Sequence, residues 1–167
     1  HGIAEHVERY RDFASYLNDR GYLVVAEDHM GHGGSIGDQG VPGYFEGGWF
    51  NAVADTHRLL TYTRQELPDV PYFLLGHSMG SFLARTHLIR YPGVPDGAVI
   101  MGTGQMAPLL IAGGRAVAAL ERLRVGEKNG SPLVQALSFK TYNKIFAPNR
   151  TGFDWLSVNE ENVDSYI

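Results

Sequence analysis

Cysteine is absent from the 167 residues. That excludes a disulfide framework, a thiolate metal site and a cysteine nucleophile. Basic charge is scarce: 14 Lys and Arg stand against 18 Asp and Glu, a formal net charge of −4. A nucleic-acid binder would carry a basic excess or patch, so no nucleic-acid partner is expected. No apolar run approaches the ~20 residues needed to cross a bilayer. Internal repeats and low-complexity stretches are also missing. Charged residues make up only 19% of the chain and hydrophobic ones 44%, so the chain is globular and long enough for one domain with a sizeable core. The chain opens on His1 with no signal-peptide pattern, and a cysteine-free chain fits the cytoplasm, the expected compartment.

What the chain has in abundance is glycine, 21 residues of it. Two of them flank a serine in Gly76-His77-Ser78-Met79-Gly80, a G-x-S-x-G pentapeptide. Before it, Tyr72-Phe73-Leu74-Leu75 reads as a buried strand; after it, Phe82 to Ile89 reads as a helix. A strand, a sharp turn and a helix are the setting in which this pattern means a nucleophile elbow. A side chain at Gly76 or Gly80 would collide with neighbouring backbone, and the serine hydroxyl would be pushed out at the start of a helix whose dipole favours negative charge. The plainer reading is a glycine-rich turn with no chemical role.

The remaining elements alternate. Val7, Tyr10, Ala14 and Leu17 mark one face of a helix that Gly21 closes. Tyr22-Leu23-Val24-Val25-Ala26 is a short apolar strand, followed by a glycine-rich loop from Asp28 to Ser35. A second helix carries Phe50, Val53, Ala54, His57 and Thr61 on one face and ends before Pro68. Tyr91-Pro92-Gly93 stops the elbow helix, and Ala98-Val99-Ile100-Met101 is a third strand. Apolar strands alternating with helices predict an α/β fold, a parallel sheet with helices on both faces. From about residue 105 the pattern turns helical. Ala107 to Leu123 reads as a helix that Gly113-Gly114 can break. Ser131 and Pro132 open another, carrying Val134, Leu137 and Ile145. Ser157-Val158-Asn159-Glu160 has the form of a capping box.

A serine hydroxyl needs a base in hydrogen-bond reach, usually a histidine oriented by a carboxylate. In folds with this elbow the acid and the histidine follow the serine in the chain. Of the seven histidines only His87 follows Ser78, nine residues on in the elbow helix, where it cannot reach back. His77 is held by the turn. The acid and base are therefore not expected within this chain. An oxyanion hole needs two backbone N–H groups. Met79, after the serine, supplies one, and Ile3, in the loop before the first helix, is the candidate for the other.

His1-Gly2-Ile3-Ala4-Glu5-His6, Asp28-His29-Met30-Gly31-His32-Gly33-Gly34-Ser35 and Gly76-His77-Ser78-Met79-Gly80, in that spacing, resemble the monoacylglycerol lipase and lysophospholipase branch of the α/β-hydrolases. The stretch from Asn149 to Ser157 is similar to the cap region of bacterial members. The resemblance implies a partial α/β-hydrolase core over residues 1–104 and a truncated helical cap, or lid, over residues 105–167. It implies Ser78 as nucleophile and the backbones of Ile3 and Met79 as oxyanion hole. His1 and Gly2 would shape the oxyanion loop, and Gly76, His77 and Gly80 the elbow. Asp28, His32 and Gly33 would support the site without taking part. Ser81, where many relatives have glycine, is a departure expected to cost little. The family also places a strand before the His-Gly pair, between the Tyr22 and Tyr72 strands, and the acid and histidine after the cap. The chain is on this reading an internal piece of a longer protein, with a gap in its sheet.

The expected activity is hydrolysis of single-chain lipid esters through an acyl-enzyme, without cofactor or metal. Transient membrane contact through the cap stays open as an expectation. The alternatives are a non-catalytic piece or scaffold lacking acid and base, and the same fold acting on peptide, thioester or lactone bonds. His29 and His32 form H-x-x-H, but a glycine loop without further ligands is a weak metal site. The run from Gly31 to Gly40 lacks the spacing of a phosphate loop. His57 and His87 read as core or boundary histidines, and Trp49 and Trp155 as packing anchors. Leu109, Leu110, Ile111, Val117 and Leu120 fit an acyl-chain lining and ordinary helix packing equally.

Overall fold

The computed structural model describes residues 1–38, 40–139 and 142–167. They form two compact units, His1–Gln105 and Met106–Ile167. The first unit is built around two parallel strands, β1 (Phe73–His77) and β2 (Gly97–Met101), in the register Phe73↔Gly97 to His77↔Met101. Helix α1 (Arg11–Asn18) follows a 3-10 turn at Val7–Tyr10, α2 (Trp49–Glu66) precedes β1, and α3 (Met79–Arg90) joins β1 to β2. Helix α3 packs on both strands and α2 packs on α3. The core lies between the two helices: Ala52, Val53 and Leu83 are buried, with Phe45, Trp49, Met79 and Tyr91 packed against them. Burial of one such aliphatic side chain contributes roughly 1.5–3 kcal/mol.

Three expectations need correcting. Residues 22–26 form no ladder, and Tyr22, Leu23 and Val25 are exposed. An apolar run becomes a strand only when a neighbour receives its N–H and C=O groups, and this segment has no ladder partner among the described residues. Among the described residues the sheet is likewise covered on one face only: Phe73, Leu75, Val99 and Met101, which share the opposite face by register, are exposed rather than buried. Helix α2 buries Ala52, Val53, Thr56, Leu60 and Thr63. Phe50, expected inside, is exposed and stacks under the Arg90 guanidinium at 5.1 Å. Around α1 the expected face holds, since Val7, Tyr10, Ala14 and Leu17 are half-buried among exposed neighbours.

Among the described residues the elements of the second unit are α-helices and 3-10 turns. Helix α4 (Pro108–Val125) runs unbroken through Gly113-Gly114. Pro108 starts it in a favoured position, and the surrounding Ala, Leu, Arg and Glu residues outweigh two glycines at ~1 kcal/mol each. Helix α5 (Pro132–Phe139) is capped by Ser131, whose Oγ accepts the Val134 N–H at 3.1 Å. Ile145, expected on that helix, lies instead in a separate 3-10 turn, Asn143–Phe146; residues 140 and 141 of the expected helix lie outside the described residues. Helix α6 (Glu160–Asp164) is capped by Asn159, not Ser157: the Asn159 side chain accepts the Glu161 N–H, while Ser157 Oγ accepts the Asn159 N–H at 3.1 Å. Asparagine two residues nearer the helix supplies the cap first. Leu109, Leu110, Ile111 and Leu120 are exposed and Val117 is half-buried.

Candidate functional site

The turn from β1 into α3 holds Ser78 at φ 51° and ψ −116°. A non-glycine residue in that region costs about 1–3 kcal/mol and persists only where its surroundings over-determine it. Those surroundings are glycines. A Cβ on Gly76 would lie 2.8 Å from the Gly80 carbonyl carbon and 2.9 Å from Ala84 Cβ. A Cβ on Gly80 would lie 2.7 Å from the His1 carbonyl oxygen. The elbow therefore closes because the helix start crosses the strand end at backbone distance, and because the His1-Gly2 segment lies against Gly80. The Ser78 N–H is tied to β2 through the Met101 carbonyl at 3.0 Å. Ser81 is fully buried, and its hydroxyl donates to the Ser78 carbonyl at 2.6 Å. The departure from glycine at this position thus leaves no unsatisfied polar atom.

The structure brings the His1-Gly2-Ile3 segment to the serine. A Cβ on Gly2 would sit 3.2 Å from Ser78 Cβ, so this backbone passes directly beside the serine side chain. Neither the Ile3 nor the Met79 N–H has a hydrogen-bond acceptor among the described residues. Ala4 next to Ile3 is, among the described residues, the other non-glycine residue with positive φ, at 57°.

Glu5 was not among the expected site residues, yet it organises this corner. Its Oε1 accepts the Gly2 N–H and the Tyr10 hydroxyl, the latter at 2.9 Å. His77 Nδ1 lies 3.2 Å from the same oxygen and 3.1 Å from the Tyr10 hydroxyl oxygen. Arg9 Nε stands 3.6 Å from Oε2. Burial pushes the Glu5 carboxyl up, but these bonds outweigh it and hold the group below its ordinary value. Burial, and then the Glu5 carboxylate, push the Tyr10 hydroxyl well above the usual phenol range. The one signal for Glu5 in the sequence is its spacing, three residues after a backbone N–H in a turn.

Asp28, expected as support, braces the same loop from the other side. Its Oδ1 accepts the Val7 N–H at 2.8 Å and Oδ2 the Gly34 N–H at 2.8 Å. Burial raises its carboxyl, and these two bonds bring it below its ordinary value. His29 donates its N–H to His1 Nε2 at 3.0 Å, and His32 is buried with Nδ1 3.1 Å from the Met30 carbonyl. Gln39, within the glycine-rich run, lies outside the described residues. Among the described residues no group of three or more His, Cys, Asp or Glu side chains could hold a metal ion.

His87 is turned away from Ser78. It is fully buried, with Nε2 3.2 Å from His57 Nδ1, while His57 stacks on Tyr91 at 3.6 Å. Burial, then the His57 charge, hold His87 below the ordinary histidine value. Trp49 donates its indole N–H to Thr86 at 3.2 Å, and the Trp155 ring packs on Tyr142 at 5.1 Å in the second unit.

Comparison with known proteins fits this geometry. The model of the family Hydrolase_4, described as serine aminopeptidase, S33, matches residues 1–167. The chain is 34% identical to a monoglyceride lipase of Mus musculus over 166 residues, 99% of the chain and 48% of the relative. It is 34% identical to a monoacylglycerol lipase of Mycolicibacterium smegmatis over 117 residues, 67% of the chain and 40% of the relative. The chain thus spans about half the length, or less, of these curated relatives. A solved structure titled "Lipase (Open form)" superposes with a TM-score of 0.82 at 24% identity, over 99% of this chain and 54% of that one. At that identity the likeness speaks for the fold, which is part of an α/β-hydrolase.

Proposed function

Because the chain belongs to the Hydrolase_4 (serine aminopeptidase, S33) family, we propose that Ser78 is the nucleophile of a carboxylic ester hydrolase acting on monoacylglycerols or lysophospholipids. The observation that carries this is the strained Ser78 turn with the Gly2 backbone against its Cβ and two unoccupied N–H groups nearby, those of Ile3 and Met79. In the reaction Ser78 Oγ gives its proton to a base and attacks the ester carbonyl carbon. The carbonyl oxygen becomes an oxyanion held by the Ile3 and Met79 N–H groups. Its collapse expels the alcohol, which takes the proton back, and leaves an acyl-enzyme. Water then attacks the acyl carbon by the same route and frees the fatty acid and Ser78.

His87 is engaged with the His57 ring, and His57 is stacked on Tyr91. We therefore assign the base and its acid to parts of the full-length protein that this chain does not include, in keeping with the greater length of the relatives. The second unit, with Leu109, Leu110 and Ile111 exposed on α4, is proposed as the cap that receives the acyl chain. No helix among the described residues is long and apolar enough to cross a membrane.

The family description names an aminopeptidase, so peptide bonds are the second reading; the lipase names of the relatives favour esters. In the full-length natural protein, a fluorophosphonate should label Ser78, and Ser78→Ala should abolish labelling and cut ester turnover by ~10⁴-fold or more. Labelling that persists in the variant refutes the nucleophile. Long-chain monoacylglycerol should be cleaved faster than acetate esters or aminoacyl amides, and the 167-residue chain by itself should turn over neither.

A further inference from the structure

Three donors converge on one oxygen of a half-buried carboxylate, Glu5 Oε1, and they come from three parts of the fold. Gly2 belongs to the segment against Ser78, Tyr10 closes the 3-10 turn, and His77 precedes the serine. The Glu5 side chain is 12% exposed. Tyr10 spends its hydroxyl hydrogen on Glu5, so the hydrogen between His77 Nδ1 and its two oxygen neighbours is the imidazole's own. Oε1 thus anchors the turn of residues 2–5 to the elbow through side chains, where a main-chain bond would ordinarily close such a turn. That turn includes Ala4 at φ 57°, a conformation unfavourable by roughly 1–2 kcal/mol that needs outside restraint.

We infer that Glu5 is a positioning residue for the oxyanion hole, fixing the Ile3 N–H relative to the Met79 N–H by tying Gly2 to His77. The inference rests on the ester-hydrolase reading of Ser78. Geometrically, Ile3 sits between the residue whose N–H Glu5 holds and the strained Ala4, so its own N–H direction follows the tie. Met79 is the next residue after Ser78 and moves with the elbow. Among the described residues, Gly2–Glu5–His77, with the Tyr10 hydroxyl bonded alongside to both Glu5 and His77, ties the two halves of the hole without passing through Ser78 or Gly80 packing. Asp28 holds the same loop at Val7, two residues beyond Glu5, and does not touch the elbow.

A loosened donor should affect the transition state more than the bound ester. Removing one oxyanion donor outright costs about 10²–10³ in kcat. Glu5→Ala, which unfastens one of two, should lower kcat by about 10–100-fold with KM within about twofold. Glu5→Gln keeps an acceptor for Gly2 and should lose less, and Tyr10→Phe should lose a few-fold. Across these variants of the full-length natural protein, the affinity of a trifluoromethyl ketone substrate analogue, whose hemiketal oxygen occupies the hole, should fall in parallel with kcat/KM. An altered KM with unchanged kcat, or ketone affinity indifferent to the substitutions, overturns the inference. If Glu5→Ala does not fold, Glu5→Gln and Tyr10→Phe with unchanged thermal midpoints decide the matter alone. Failure of the wild type to react with a fluorophosphonate is a different result: it removes the ester-hydrolase reading itself.

Discussion

The two units are held together in different ways. In His1–Gln105 the decisive bonds join residues far apart in sequence: Glu5 to His77 across 72 positions, Arg64 to Asp96 across 32, and Val7 and His1 to the Asp28 loop. In Met106–Ile167 they join near neighbours: Glu121 takes Arg124 and Ser131, Asn143 takes Trp155 across 12 positions, and Asp154 caps the turn at Thr151. Long-range bonds assemble an exact corner around a serine. Short-range bonds join each helix or turn to the next along the chain, with much apolar surface left outside. The difference predicts that the first unit is intolerant of added atoms and sensitive to its medium, and that the second has slack.

The strongest way to break that contrast is to add one methyl group. Gly76→Ala places a Cβ against the Gly80 carbonyl and Ala84 and should destabilise the first unit by about 1–3 kcal/mol, seen as a lowered urea midpoint, while misplacing Ser78. A variant as stable as the wild type would show that the elbow is looser than its distances.

A smaller effect comes with acid. His87, fully buried beside His57, has its folded value lowered by burial first and the neighbouring charge second. The unfolded chain therefore binds the proton more readily. Stability from this group is intact above its unfolded value near 6.5 and is lost as pH falls from there through the lowered folded value. Glu121 in the second unit is held down to about 2, by Arg124 first and Ser131 second. Its contribution is intact above the unfolded carboxylate value and is lost only as pH falls toward about 2. Once the intrinsic slowing of amide exchange in acid is divided out, protection should fall between pH 7 and 5 around α2 and α3 and hold at the Glu121–Ser131 corner; the opposite order would invert the comparison.

The smallest effect tests the slack. A Cβ at Gly113 or Gly114 meets nothing within 4 Å. Gly113→Ala and Gly114→Ala should each stabilise α4 by roughly 0.5–1 kcal/mol, read as increased helicity on heating, with no change in ester turnover.

Much of the corner around Ser78 is legible in sequence because its logic is local. Strand, two glycines and helix are contiguous, and the steric need for Gly76 and Gly80 follows from the turn. The Ile3 segment is different, since it is brought to residue 78 only by the general rule that the second donor lies in the loop before the first helix, together with the family resemblance. Glu5 escapes both routes: no periodicity encodes a carboxylate that pairs across 72 positions. The face of α2 is misjudged for another reason. Thr56 and Thr63 are buried because their hydroxyls bond back to the Ala52 and Leu59 carbonyls, at 3.2 and 2.8 Å, so polarity is a poor guide to their position. Residues 22–26 fail as a strand because β structure is a property of pairs, and a run of Tyr, Leu and Val describes only one member.

Strand β1 is bonded to β2 along one edge and has no ladder partner along the other among the described residues. Its sequence there is Phe, Leu, Leu, with Phe73 and Leu75 exposed. Such an edge is a template for another chain. In a concentrated solution of this polypeptide it would recruit the same strand from a second molecule, or the unpaired apolar stretch at residues 22–26. Leu75→Lys, on the open face, should therefore weaken self-association of this polypeptide, read by light scattering.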